Sequence, residues 1–122
     1  MLENLIGAQI LSIDETSIKV KLNDVVHTLE IEADPGNCCG FADFTTNLLY
    51  SENDFRNPII TNIKSEDEDD GYKTTSLITF YGEEKALATI ESEAGSGSGW
   101  AYGATVNIRC KALDINADLA SW

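Results

Sequence analysis

The chain has 122 residues, 43% of them hydrophobic, and a formal net charge of −13 from 21 acidic and 8 basic side chains. That length gives one domain, expected over residues 1–122, whose modest core makes dimerisation a natural supplement. The charge argues against duplex nucleic acid, which is gripped by a field of Lys and Arg; with no leader pattern visible and no run approaching roughly 18 apolar residues, a soluble chain that stays where it is made, without a membrane partner, is expected.

Residues 5–13 mix apolar and small side chains and read as a first strand. Ile18, Val20 and Leu22 then alternate with Lys19 and Lys21, and Val25, His27, Leu29 and Ile31 alternate with Val26, Thr28, Glu30 and Glu32. Two alternating runs around Asn23-Asp24 predict a β-hairpin. Asp34-Pro35-Gly36-Asn37 is turn chemistry. In residues 38–50, Phe41, Phe44 and Leu48 fall at helical spacing, which predicts a short helix or irregular segment against the sheet. Residues 51–57 are polar and carry Arg56, and Pro58 opens a short apolar run to Ile63.

Ser65-Glu66-Asp67-Glu68-Asp69-Asp70-Gly71 reads as an acidic, solvated loop. As a calcium loop with Gly71 at its sixth position it fails, because Leu77 stands where a bidentate Glu is needed. Residues 73–81 read as a strand, Gly82-Glu83-Glu84 as a turn, and Ala86, Ala88 and Ile90 as the return strand of a second hairpin. After a Gly/Ser-rich stretch, Val106, Ile108 and Cys110 alternate with Asn107, Arg109 and Lys111 in a clear strand. The tail, residues 114–122, suggests a helical turn, with Trp122 free to pack or to pair with another chain. The expected fold is mainly β, with α+β as the alternative: a twisted antiparallel sheet of hairpins, a short helix and an oligomeric state.

No catalytic constellation emerges, and the chain is expected not to be an enzyme. His27 is the only histidine and sits among the apolar alternates of a hairpin strand, Cys38 and Cys39 lack a partner base, and Glu83-Glu84 diverge in a turn. Three cysteines, two of them adjacent, suit reduced thiols in a cytoplasm better than a disulfide scaffold, and without C-x-x-C a zinc site is not supported. No cofactor or metal is expected.

Binding chemistry is better represented. Gly95-Ser96-Gly97-Ser98-Gly99 leads directly into Trp100 and Tyr102. Glycines let backbone amides approach a phosphate or ribose, so Gly97 and Gly99 fit a ligand rim as well as they fit a hairpin tip. The stretch is neither a P-loop nor a full G-x-G-x-x-G. Arg109, on the polar face of its strand beside Asn107, and Arg56 could each grip a pyrophosphate, or each join one of many carboxylates in a salt bridge. Phe80, Tyr81, Trp100 and Tyr102 supply faces for stacking a base, or belong to the core.

Gly36-Asn37-Cys38-Cys39-Gly40, with the Gly/Ser-aromatic-Gly stretch from Gly95 to Gly103 and the alternating strand after it, resembles a family of small phage-encoded proteins that includes the sponge-type Thoeris anti-defence proteins. The resemblance covers residues 31–110, with Asn37 where many relatives carry an acid. It implies immune evasion without catalysis: a homodimer or higher homo-oligomer that binds a cyclic ADP-ribose isomer between subunits and withholds it from its effector in the host cytoplasm. Some members also bind cyclic oligonucleotides at separate sites. Carried onto this chain, it implies that Arg56 and Arg109 hold phosphates, with Phe80, Tyr81, Trp100 and Tyr102 as looser matches. The alternative is a structural or virion-associated phage protein with no small-molecule ligand.

Overall fold

The computed structural model describes residues 2–36, 40–49, 59–71, 73–83, 85–95 and 103–122. Among these residues, after a 3-10 turn at Leu2–Leu5, nine strands follow in chain order: β1 Gln9–Ile13, β2 Ser17–Leu22, β3 Val25–Asp34, β4 Phe41–Leu48, β5 Asn62–Asp69, β6 Lys73–Tyr81, β7 Ala86–Gly95, β8 Thr105–Cys110 and, after a second 3-10 turn at Lys111–Leu113, β9 Ile115–Ser121. They form two antiparallel sheets, in the orders β1-β2-β3-β8-β9 and β4-β7-β6-β5. The sheets face each other across one core, so the fold is mainly β and is a sandwich rather than a single twisted sheet.

Alternation builds that core from both sides. Ile18, Val20, Leu29, Ile31, Val106 and Ile108 point inward from the five-stranded sheet, and Ile78, Phe80, Ala88, Ile90 and Ala94 meet them from the four-stranded one. The hairpin between β2 and β3 forms as its sequence predicts. Leu22 pairs with Val25, and Asn23 and Asp24 both take positive φ, at 52° and 64°. Such a two-residue turn matches the right-handed twist of the flanking strands, and Asn and Asp tolerate its left-handed backbone. The hairpin of β6 and β7 also forms, closed by Gly82 N–H donating to the Lys85 carbonyl at 2.8 Å.

Four segments differ from expectation. Residues 5–13 do not form one strand: Gly7, at φ 94°, turns the chain between the 3-10 turn and β1. The segment expected as a short helix holds strand β4, fully in register with β7 from Phe41↔Gly95 to Leu48↔Ala88. There Ala42 and Phe44 pack on the core at a spacing of two, which overrides the helical spacing of Phe41, Phe44 and Leu48.

The acidic stretch is a strand, β5, through Asp69, and only then a turn at Asp70-Gly71. As an edge strand it needs backbone pairing on one side only. Ile63 alone packs on the core, and the charges discourage further strand addition. The tail is strand β9, carrying a bulge opposite Val106/Asn107 that brings Leu119 and Ala120 both inward and leaves a helix-like sequence pattern. Trp122 is half-buried on the core, its N–H donating to the Ala104 carbonyl and its carbonyl accepting from Gly103 N–H.

Candidate functional site

Arg109 lies on the outward face of β8, opposite Glu30 of β3. Its Nε is 3.7 Å from Glu30 Oε2 and its Nη2 is 3.1 Å from Glu32 Oε2, all three side chains being half-exposed or more. Around it is a shallow hollow of about 350 Å³ lined by Thr16, Ser17, Thr28, Glu30, Glu32 and Arg109. Hydroxyls and one guanidinium suit an oxyanion, but two carboxylates already share that cation. At the rim, Asp14 accepts from the Thr16 N–H at 2.9 Å, the Ser17 N–H at 2.7 Å and the Ser17 hydroxyl at 2.9 Å. The backbone bond from Thr16 first, then the Ser17 hydroxyl, hold the Asp14 carboxyl below its ordinary pKa.

The other expected binding residues are dispersed. Asn107 is on the same face as Arg109, and its amide donates to Asn116 Oδ1, the Ala117 carbonyl and Asp118 Oδ1, so it ties β8 to β9. Phe80 is 1% exposed and faces the core, which leaves no ring face for stacking a base. Tyr81, half-buried, follows it at the rim of the other sheet. Arg56, Gly97, Gly99, Trp100 and Tyr102 lie outside the described residues, as do Cys38 and Cys39. The structure therefore brings Arg109 and Asn107 together and separates both from Phe80 and Tyr81. Cys110 is a free, buried thiol on the inward face of β8.

A second and larger concavity lies elsewhere. On the outward face of the four-stranded sheet a trough of about 650 Å³ runs across all four strands. The register sets its lining in two rows, Asp43–Glu93–Thr75–Glu68 and Thr45–Glu91–Leu77–Glu66. Lys73 Nζ is 3.7 Å from Glu93 and Lys64 Nζ is 3.2 Å from Glu66. The trough is thus acidic and repels phosphates. The sequence carries a signal for it: Glu91 and Glu93 alternate with Ile90, Ser92 and Ala94, and Glu66 and Glu68 show the same period once β5 is read as a strand. Among the described residues no group of three or more His, Cys, Asp or Glu is placed to hold a metal ion.

No family model, curated protein or solved structure matches this chain.

Proposed function

We propose that this chain is a non-catalytic phage protein that binds and sequesters a cyclic ADP-ribose-type signalling nucleotide in the host cytoplasm, as a homodimer or larger homo-oligomer. One observation carries the reading beyond sequence resemblance. Asp34 pairs with Thr105 in the five-stranded sheet, and Phe41 pairs with Gly95 in the four-stranded one. The residues that bracket the Gly36–Gly40 turn and the Gly95–Gly103 stretch therefore meet at one end of the sandwich, where each segment joins one sheet to the other. Both connecting segments are glycine-containing in sequence, and glycine lets backbone amides approach a ribose or phosphate. A site completed by a second copy would let a small chain enclose such a ligand.

Arg109, four residues along β8 from Thr105 and so roughly 13 Å from that end, enters this reading as a separate contact, by exchange. Its carboxylate partners are solvated, and surface ion pairs are weak, so a phosphate displacing Glu32 sacrifices little. The same pairing favours the alternative, a structural or virion-associated protein with no small-molecule ligand, in which Arg109 merely joins β8 to β3.

A thermal-shift screen against cyclic ADP-ribose isomers and cyclic di- and trinucleotides separates the two readings. Sequestration gives a clear rise in Tm and intact ligand after heat release and chromatography. Altered ligand makes the chain an enzyme, and no shift with any nucleotide leaves the structural reading. Arg109→Ala and Arg56→Ala are each expected to weaken nucleotide binding, by roughly 2–5 kcal/mol where a second copy closes the phosphate contact from water, with little change in folding. Unchanged binding by both variants removes these arginines from the site.

A further inference from the structure

We propose that the outward face of the four-stranded sheet docks a lysine- and arginine-rich segment of another protein. Among the described residues no element covers this face, because the five-stranded sheet packs on the opposite side. Its trough puts Asp43 directly opposite Glu93 on the same face, with Glu91 one pleat along and Glu66 and Glu68 on the far strand. Like charges directly opposite destabilise a strand pair, and threonine at either position would solvate the face equally well. The sequence instead keeps an excess of acids over the two lysines, Lys73 and Lys64, in a concave surface, where the field is focused.

The arrangement selects among cations. Outward side chains stand about 6.8 Å apart along a strand and about 4.8 Å apart between strands, so the acids form an extended array over four strands. No metal-holding group occurs here among the described residues. An extended array of ammonium and guanidinium groups matches that spacing. Thr45, Thr75 and half-buried Leu77 lie between the acids and offer a floor for aliphatic stems. Charge complementarity therefore commits the trough to a basic protein segment and against nucleic acid or a phosphate ligand. The proposal does not rest on the nucleotide reading, and either can fail without the other.

The test uses the full chain and a fluorescein-labelled peptide of alternating Arg, Lys and Gly, with amide shifts mapped by NMR. Binding is expected to shift amides of β4, β7, β6 and β5. The variant D43N/E91Q/E93Q should weaken it by about tenfold or more, whereas E15Q/D24N/E83Q, with equal charge loss elsewhere, should change it by less than about twofold. Equal loss in both variants, shifts centred on the five-stranded sheet, or no binding overturns the proposal. Saturable shifts of the trough amides with calcium chloride alone overturn it in favour of an ion site. If the triple variant does not fold, Leu77→Lys, which sets a cation in the floor, must give the same loss.

Discussion

On the five-stranded sheet, Arg109 stands between Glu30 on one side and Asn116 on the other, and the next outward row sets Glu32, Asn107 and Asp118 in line. On the four-stranded sheet, Glu93 stands between Asp43 and Thr75, and the next row sets Thr45, Glu91, Leu77 and Glu66 in line. Both faces follow from the same period-two alternation over the same core. In the first, opposite charges and amides satisfy one another across strands. In the second, Asp43 faces Glu93, the other acids face Thr or Leu, and Lys73 and Lys64 join Glu93 and Glu66 without neutralising the rest. The contrast teaches that a protein with a net charge of −13 has not spread its excess evenly. One face is neutralised internally and the other is left as a field.

The sharpest way to break the comparison is to remove the core both faces depend on. Phe80 is among the largest fully buried side chains and sits where the two sheets meet. Phe80→Ala should destabilise the fold by about 3–5 kcal/mol in urea unfolding, while Tyr81→Ala, one residue along and half-buried, should cost much less. Similar losses for both would mean that the alternation of β6 does not decide which ring is core. The outcome also bears on ligand binding, because loss of affinity in Phe80→Ala must be judged against its loss of folded protein.

That residue shows how legible the chain was. The hairpin of β2 and β3 could be read to the residue, since Asn23-Asp24 is a turn signal and its flanks alternate cleanly. Strand β8 was equally plain, and with it the outward placement of Arg109 and Asn107. Where reading failed, a local pattern competed with a non-local one. Phe41, Phe44 and Leu48 suggest a helix until β7 supplies eight partners for β4, and the bulge near Leu119 disguises β9. In β5 the charges suggest a loop because only one edge and one side chain, Ile63, are held by the rest of the fold. The acidic trough was legible only in part: Glu91 and Glu93 alternate with buried neighbours in β7, but Asp43, Glu66 and Glu68 join them only once β4 and β5 flank β7 and β6. Which aromatics were core was undecidable from composition, and register alone separates Phe80 from Tyr81.

A smaller effect lies beneath the trough. Ser76 and Ser92 pair across β6 and β7, face inward, and are each 4% exposed, with neither hydroxyl oxygen finding a hydrogen-bond partner. A buried, unsatisfied hydroxyl costs more than the small apolar group that could replace it. Ser76→Ala should therefore raise stability by about 1 kcal/mol, read as a higher urea midpoint at constant slope. A loss of similar size would show that an ordered water satisfies the pair and belongs to the structure. Because both serines lie on the inward side of the acidic sheet, a gain leaves the trough unaltered and isolates the energetics of its supporting layer.

The smallest effect tests the contrast most directly. Glu93→Thr removes one of two opposed acids and puts a good strand former in its place, at the loss of a surface pair with Lys73 that is only weakly formed at 3.7 Å. The matching change on the other sheet, Glu32→Thr, removes the acid that lies 3.1 Å from Arg109 Nη2. Cross-strand charge pairs contribute roughly 0.2–1 kcal/mol, favourable when opposite and unfavourable when alike. Stability should therefore rise by about 0.5 kcal/mol for Glu93→Thr and fall by about as much for Glu32→Thr at low ionic strength. Both differences should shrink toward zero near 1 M salt, where screening acts within about 3 Å. Two changes of the same sign would mean that strand propensity or net charge outweighs the local pairing. Opposite signs that converge with salt would mean that the acidic face carries an electrostatic penalty its own fold does not require, as expected of a surface built to meet a basic partner.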